Sequence, residues 1–243
     1  MVQSLPQAGS YLAIEDHGII GDLHTVALVG KNGTIDWFCI PAFDAPSVFG
    51  ALLDAEKGGF FSIAPQATPE MTLKQYYLPE TNILITRFFT LDGVGEITDF
   101  MPIEHSKTHT KRHRLIRAVR VVRGSLTFEL TCRPAFNYAR DEHSVGLSER
   151  GAVFENAEVR LGLFSSVPLE EDDHGGVTST FTLHQDQWPI FCLKVQVSIM
   201  LSHHTSHLQI IRRYCSTQKA IGAPGSRSAA TMVDGSKWCS GQP

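Results

Sequence analysis

The sequence lacks the features that mark membrane-spanning, secreted and nucleic-acid-binding proteins. No window of its 243 residues approaches the roughly 18–20 consecutive apolar side chains that cross a bilayer. Residues 1–10 have neither a basic start nor an apolar run, so they do not resemble a secretory signal, and we expect a flexible N-terminus there. The formal net charge of −4 provides no basic surface for nucleic acid or anionic lipid. We therefore expect a cytoplasmic protein without nucleic-acid or membrane partners.

Cysteine is scarce, and its spacing suits neither a disulfide framework nor a metal site. The five cysteines are Cys39, Cys132, Cys192, Cys215 and Cys239. No two of them have the close spacing of a zinc site, and an odd number does not suit a closed set of disulfides. We expect reduced thiols, no metal and no cofactor.

The sequence is rich in short runs of β-branched and aromatic residues that are separated by turn residues. Segments 24–30 and 34–40 flank Asn32-Gly33, which is typical of a hairpin because this dipeptide tolerates positive φ. The same reasoning predicts a hairpin at Asp92-Gly93 and a third at Gly124, between segments 114–123 and 125–133. Further strands are predicted at 60–64, 71–78, 159–165, 177–184 and 189–195.

Only one short helix is predicted, at about residues 46–53. Asp44 can cap it and Pro46 suits its first turn. Many short strands with regular turns and one minor helix predict an all-β fold, an antiparallel two-sheet sandwich. We expect this domain to cover residues 11–196 and an irregular tail to cover residues 197–243.

Several separate motifs, taken in order, resemble a single family. They are Tyr11, Ile14-Glu15-Asp16, IIGDL (19–23), GTIDWFCIP (33–41), FDAPSVF (43–49), QYYLP (75–79) and TDFMP (98–102). They resemble the N-terminal β-sandwich domain of the glucoamylase- and trehalase-like enzymes of glycoside hydrolase family 15. The resemblance covers residues 11–194, about three-quarters of the chain, and it implies the same sandwich fold.

The resemblance also implies where the chemistry of the family takes place. Such enzymes hydrolyse α-glucosides such as starch-type oligosaccharides or trehalose by an inverting mechanism. Their two catalytic glutamates are carried by a helical (α/α)6 barrel that follows the sandwich. An inverting pair is separated by roughly 6.5–9.5 Å to hold a water. No residue here matches those motifs, so we assign no catalytic residue and expect the chain to be truncated before the barrel.

The expected function is therefore that of a non-catalytic domain that packs against the catalytic barrel and shapes its cleft. Two alternatives remain: a free-standing carbohydrate-binding module with α-glucosides as partners, and an inactive gene fragment. Catalysis by the sandwich alone would need a carboxylate pair of its own. The acidic residues of suitable type are Asp36, Asp44, Glu96 and Asp99, and we expect structural roles for them instead.

A surface for the barrel or for a carbohydrate is expected around segment 36–44, which resembles the family loop that runs toward the barrel. Aromatic rings can stack on sugar faces, and nearby carboxylates can accept sugar hydroxyls. A second matching segment, 134–140, could face the barrel or brace the sandwich edge. The candidate residues are Asp36, Trp37, Phe43, Asp44, Tyr138 and Arg140. The alternative is that these aromatic side chains only pack in the core or in a turn.

One predicted strand contains an arginine on an apolar face. Arg117 shares its face with Leu115, Val119 and Val121. Because a buried charge is costly without a partner, that face can be dry core only if Arg117 is paired. We expect a structural salt bridge there, with a cleft that faces a sugar as the alternative.

Residues 197–243 have no sustained period, and residues 222–241 are crowded with Gly, Ser and Ala, which is typical of disorder. Many codon sequences are compatible with residues 220–243. Some of them, when read in a frame that begins one nucleotide earlier, encode a Tyr-x-Gly-Arg-Trp motif that resembles the start of the family barrel. We therefore interpret the tail as out of frame or disordered, with a frameshift or gene-model error between residues 194 and 214. His203, His204 and His207 then need no metal-binding role.

Overall fold

The fold is built almost entirely from antiparallel strands. The computed structural model describes residues 11–68, 70–103 and 113–197. The expected flexible N-terminus at 1–10 and the three histidines lie outside the described residues. Of the irregular tail expected at 197–243, only residue 197 is described, and it is the last residue of β15. The frameshift between residues 194 and 214 stays a prediction. Within the described part of the chain, the predicted all-β class is confirmed.

The described residues form fifteen strands and two short helical turns. The strands are β1 (His17–Gly21), β2 (Val26–Gly30), β3 (Thr34–Cys39), β4 (Ser47–Phe49), β5 (Phe60–Pro65), β6 (Thr72–Tyr77), β7 (Leu84–Phe89), β8 (Gly93–Phe100), β9 (Arg114–Arg133), β10 (Ser144–Ser148), β11 (Gly151–Glu155), β12 (Val159–Ser165), β13 (Glu170–Glu171), β14 (Val177–His184) and β15 (Ile190–Val197). The helical turns are a 3-10 turn (Ile14–Asp16) and α1 (Phe136–Ala139). Neither turn has the length and apolar character that crossing a bilayer requires.

The strands lie in two layers that enclose one core. Sheet A has the spatial order β1, β2, β3, β5, the C-terminal half of β9, β14 and β13, with β4 paired to β3. Sheet B has the order β6, β7, β8, the N-terminal half of β9, β15, β12, β11 and β10. The rings of Phe181 in sheet A and Phe191 in sheet B meet between the layers, with centroids 5.8 Å apart. The predicted sandwich is therefore observed, and β9 joins its two layers in one continuous ladder.

The third predicted hairpin is wrong, because segments 114–123 and 125–133 form the single strand β9. Twenty residues of strand extend about 65 Å, far more than one layer of a small sandwich needs. At Gly124 the backbone adopts a φ of +78°, and there β9 passes from sheet B into sheet A. A Cβ at this position would lie 2.0 Å from the carbonyl oxygen of Asp92, so only glycine fits.

The other local predictions for strands are confirmed. The β2–β3 hairpin turns at Asn32-Gly33, with Gly33 at a φ of +84°, and the β7–β8 hairpin turns at Asp92-Gly93. The five further predicted strands correspond to β5, β6, β12, β14 and β15. The strands β1, β4, β10, β11 and β13 were not predicted from the sequence.

The helix predicted over residues 46–53 is wrong. Ser47–Phe49 form β4, which pairs with β3 so that Phe49 lies opposite Phe38, and residues 51–53 form a turn. All three residues of β4 are buried. Burial of Val48 and Phe49 in the sheet stabilises the extended form by more than the weak local helix preference. Asp44 is exposed and caps no helix.

The salt bridge predicted for Arg117 is confirmed and lies inside the core. Its Nε donates to Asp99 Oδ1 over 2.8 Å, and neither side chain is exposed. The other nitrogens reach across to sheet A, where Nη1 donates to the carbonyl of Phe61 (2.8 Å) and Nη2 to that of Gly33 (2.7 Å). One guanidinium therefore satisfies two backbone carbonyls and a carboxylate, and it ties the layers together.

A tyrosine of sheet B closes one edge of sheet A. The edge strand β1 presents the backbone of Ile19 toward β6. The hydroxyl of Tyr77 accepts from the Ile19 N–H (2.7 Å) and donates to the Ile19 carbonyl (2.9 Å). Beside it, Gln75 Nε2 donates to the carbonyl of Val29 (3.1 Å). These contacts join the layers along the side where β1 and β6 approach each other.

Candidate functional site

The first candidate residues lie on a β-bulge in β3. Leu28 of β2 lies opposite Trp37, and the next pair is Val29 with Ile35, so Asp36 is an extra residue in the ladder. Ile35 and Phe38 point into the core, whereas Asp36 and Trp37 are only half-buried. A bulge changes the direction of local side chains and is common beside functional sites. Here it brings Asp36 and Trp37 to the outer face of sheet A.

Asp36 is held by a histidine that sequence reasoning missed. His17 Nε2 lies 2.8 Å from Asp36 Oδ2, and His17 Nδ1 lies 2.9 Å from the carbonyl of Ala13. Because a carbonyl only accepts, Nδ1 carries a hydrogen, and the contact with Asp36 then needs a second proton on one of the two partners. Burial raises the pKa of Asp36, against the lowering effect of the hydrogen bond from His17. The pair can therefore hold a proton at the rim of the site.

The second group of candidates is carried by the turn around α1. Asn137, Tyr138 and Ala139 have φ values of 52°, 59° and 62°, a run of three non-glycine residues in the left-handed region. Such residues cost of order 1 kcal/mol each and persist only where the surroundings hold them. The anchors are the buried Phe136 and a backbone bond from the Ala135 N–H to the carbonyl of Val48 (2.8 Å). Pairing of β4 therefore supports the turn that presents Tyr138.

The two candidate segments meet at the surface. The rings of Trp37 and Tyr138 have centroids 6.5 Å apart, and the guanidinium carbon of Arg140 lies 5.8 Å from the Tyr138 ring centroid. Tyr138 is 42% exposed, and Arg140 is exposed. The structure thus brings Trp37 together with two candidates, Tyr138 and Arg140, that lie about a hundred positions later in the sequence.

Apolar side chains extend this meeting point into a strip. Across the first three strands, Ile19 lies opposite Leu28, and Leu28 lies opposite Trp37. Ile19 is 53% exposed. We call Ile19, Leu28, Trp37 and Tyr138 the aromatic strip. The sequence analysis did not select Ile19 and Leu28 as site residues. Their spacing of nine residues, which continues to Trp37, is the pattern that could have identified one row across three consecutive antiparallel strands.

Phe43 and Asp44 stand apart from this group. Both are exposed in the loop that follows the cis peptide bond between Ile40 and Pro41. In the described part of the chain, no ring contact joins Phe43 to Trp37 or Tyr138. Both residues follow β3 in the sequence and are exposed, and Phe43 is not part of the ring contacts of the aromatic strip.

The carboxylates considered for catalysis are dispersed. Asp99 points inward to Arg117, whereas Glu96 points outward from sheet B and is paired with Arg87 and Arg120. Asp36 pairs with His17 on the outer face of sheet A. An inverting pair needs two carboxyl groups that flank one bond, and these side chains lie on different faces of the sandwich.

Known proteins resemble this chain over most of the described domain. Residues 7–166 match the family described as trehalase-like, N-terminal. The trehalase of Thermoplasma volcanium is 34% identical over 165 residues, which are 67% of this chain and 26% of that protein. Trehalase 1 of Sulfolobus acidocaldarius is 36% identical over 169 residues, 69% of this chain and 28% of that protein. The trehalase of Thermoplasma acidophilum is 37% identical over 152 residues, 60% of this chain and 26% of that protein.

This chain therefore spans about a quarter of the length of the trehalases it matches. The family match covers more than half of the chain and follows the two-layer sandwich from β1 to β12. The resemblance expected from the sequence motifs is confirmed by these matches. The chain belongs to the trehalase-like N-terminal domain family and is homologous to trehalases.

Proposed function

We propose that this chain is the non-catalytic N-terminal domain of a family 15 glycoside hydrolase, which docks its aromatic strip against a catalytic (α/α)6 barrel and shapes one rim of the active-site cleft. The substrate class of the assembled enzyme is the α-glucosides, with trehalose suggested by the relatives' names. The aromatic strip is the observation that carries the proposal.

The strip has the composition of a docking surface. Its members are apolar or aromatic: Ile19, Leu28 and Trp37 lie in one row on the outer face of sheet A, and Tyr138 extends the row from the turn around α1. Ile19 and Tyr138 are about half exposed. Large apolar side chains that are clustered on a surface are typical of interfaces. The relatives provide an occupant, because about three-quarters of their length has no counterpart in this chain.

The left-handed turn is a second reason to assign a function to this surface. Three consecutive non-glycine residues at positive φ hold Tyr138 and Arg140 outward. Because that geometry is unfavourable by itself, its presence supports a role for the side chains that it displays. The Asp36–His17 pair beside Trp37 adds a proton-holding group to the same rim.

A chimera tests the proposal. The matched N-terminal segment of the Thermoplasma volcanium trehalase is replaced by the corresponding segment of this chain, and trehalose hydrolysis and the unfolding temperature are measured. We expect an active chimera in which Trp37→Ala and Tyr138→Ala lower the unfolding temperature by several degrees more than they do in the 243-residue chain. Equal effects in both proteins would mean that the strip does not dock.

The second candidate function, a free-standing carbohydrate-binding module, is favoured by one observation. Trp37 and Tyr138 present rings beside Arg140, a combination that suits sugar faces and hydroxyls. Titration of trehalose and maltose into the 243-residue chain separates the two functions. Saturable binding that is lost in Trp37→Ala supports the module, and absence of binding leaves docking as the role of the strip.

A further inference from the structure

A second cluster of rings and charges lies on the opposite outer face of the sandwich. Side chains at matched positions of four adjacent strands form one row in sheet B, with Lys74 opposite Arg87, Arg87 opposite Glu96, and Glu96 opposite Arg120. The neighbouring residues Phe88, Ile97 and Val119 point into the core. The row therefore faces outward, away from the aromatic strip.

Glu96 organises this row although it is not exposed. Arg87 donates to its Oε1 and Arg120 donates to its Oε2, in each case with Nε and Nη2 in contact with the carboxylate. The two guanidinium groups cover the carboxylate and remain about one-third exposed themselves. Because two nitrogens of each guanidinium contact the carboxylate, both arginines are held in a fixed orientation.

Each arginine also lies against an aromatic ring. The guanidinium carbon of Arg87 is 5.6 Å from the ring centroid of Tyr76, and that of Arg120 is 4.9 Å from the ring centroid of Trp188. Tyr76 is 37% exposed and Trp188 is partly exposed. We call Tyr76, Arg87, Glu96, Arg120 and Trp188 the ring platform.

We propose that the ring platform is a binding surface for neutral oligosaccharide chains. Exposed rings can stack on the apolar faces of sugars, and the outer N–H groups of the two arginines can donate to hydroxyls. The sugar class, α-glucans, rests on the proposed function, whereas the platform itself rests on the geometry of sheet B.

The carboxylate of Glu96 makes the two arginines a weaker site for phosphate or carboxylate than an unpaired arginine pair would be. Tight recognition of an anion by arginine uses the two parallel donors of one guanidinium edge. At both arginines, Glu96 already holds the edge formed by Nε and Nη2. The carboxylate also offsets one of the two guanidinium charges, and the remaining Nη1–H and Nη2–H groups can donate to sugar hydroxyls.

The spacing of the rings indicates the length of the ligand. Tyr76 is on β6, and Trp188 lies beside the β9 residue Arg120. The backbones of these two strands are three strand spacings apart, about 14 Å, and the Tyr76 side chain extends toward β8, where its hydroxyl lies 3.5 Å from Glu96 Oε1. A ligand that contacts both rings must therefore pass across the paired arginines, and an oligosaccharide of several sugars can do so. Since the platform and the aromatic strip lie on opposite faces, docking of a barrel on the strip would leave the platform open.

Titration of maltoheptaose and trehalose into the 243-residue chain, followed by calorimetry, tests the proposal. We expect saturable binding of maltoheptaose at least tenfold tighter than that of trehalose. Tyr76→Ala and Trp188→Ala should each weaken it at least tenfold, and Tyr76→Phe should retain it because the ring is kept. Leu147→Ala is the matched control, since Leu147 is an exposed side chain on the far edge strand of the same sheet, and it should bind as the wild type does. Unfolding temperatures show that the variants are folded.

Three outcomes would overturn the proposal. They are absence of saturable binding to maltoheptaose, binding that is unaffected by both alanine variants, and tighter binding of glucose 6-phosphate or inorganic phosphate that falls steeply with salt, which would identify an anion site. The variants compared in the chimera, Trp37→Ala and Tyr138→Ala, leave the platform residues unchanged, so failure of the platform and failure of strip docking are distinguishable.

Discussion

Arg117 and Asp99 form a fully buried ion pair, and the same guanidinium donates to two backbone carbonyls of the opposite sheet. Because a single partner left in the core is an uncompensated charge, Arg117→Met should lower the free energy of unfolding by about 3–5 kcal/mol. Urea denaturation measures this loss.

The double variant Arg117→Met, Asp99→Leu is the informative control. Removing both charges eliminates the unpaired carboxylate and should recover part of the stability, although the carbonyls of Phe61 and Gly33 lose their donors. If Arg117→Met cost less than about 1 kcal/mol, the pair would not be the connection between the layers that its geometry indicates.

Gly124 is the position at which β9 changes sheets, and substitution there should be severely destabilising. Gly124→Ala introduces a Cβ 2.0 Å from the Asp92 carbonyl at a φ of +78°, so we expect a loss above about 2 kcal/mol. Gly146→Ala is the matched control in an ordinary strand, where the nearest atom to a new Cβ is 4.0 Å away. It should change stability by less than about 1 kcal/mol. Equal losses for both variants in thermal unfolding would contradict the assigned role.

The hydrogen bonds of Asp22 indicate that the folded state loses stability in acid. Burial acts to raise its pKa, but hydrogen bonds from His113 Nδ1 (2.6 Å) and from the N–H groups of Thr25 and His24 outweigh burial and hold the pKa below its ordinary value. A carboxyl group whose pKa is lowered by folding stabilises the folded state at every pH above its pKa in the unfolded state, about 3.9. This stabilisation is lost as the pH falls through the pKa of the group in the folded state.

Stability should therefore fall below about pH 4, and Asp22→Asn should be less stable at neutral pH but show a smaller loss on acidification. Urea midpoints measured from pH 7 to pH 2.5 check this difference. Parallel pH profiles for the variant and the wild type would show that Asp22 carries no such linkage.

The aromatic strip predicts self-association of the isolated 243-residue chain. An apolar row without its partner favours contacts between copies, so we expect poor solubility and concentration-dependent elution in size-exclusion chromatography. Trp37→Ser combined with Ile19→Ser should increase the monomeric fraction. Leu91→Ser removes an exposed apolar side chain outside the strip and should have little effect. A monodisperse wild-type chain at high concentration would refute the prediction.

Local sequence signals predicted those parts of the fold that depend on local energetics. Asn32-Gly33 predicts its hairpin because Gly33 accepts the positive φ of the turn (+84°), which is a property of that residue itself. Asp92-Gly93 also marks a hairpin, although neither of its residues has a positive φ. Gly124 gave the same local signal, yet it lies inside a continuous strand, because its outcome depends on which distant strands pair with each half of β9. The segment 46–53 was predicted wrongly for a similar reason, since pairing of Phe49 with Phe38 is non-local.

In the candidate site, too, the sequence indicated individual residues but not the contacts that depend on distant strands. Trp37, Tyr138 and Arg140 were selected because their segments resemble the family, and the structure brings them together, but no local pattern indicates a contact across a hundred residues. His17 was missed because it is a lone histidine, and its role depends on a bulge that only strand register reveals. Whether these residues contact a barrel or a sugar stays a prediction.

The phenol of Tyr77 has a consequence for how copies of this protein could meet. It occupies both backbone groups of Ile19, the middle residue of the edge strand β1, so an incoming strand cannot pair with the backbone at that position. A neighbouring polypeptide cannot lengthen the ladder there by main-chain pairing unless it first dislodges the ring. Association at this side must therefore proceed through side chains, face against face, and Tyr77→Phe would open a route toward fibre-like stacking.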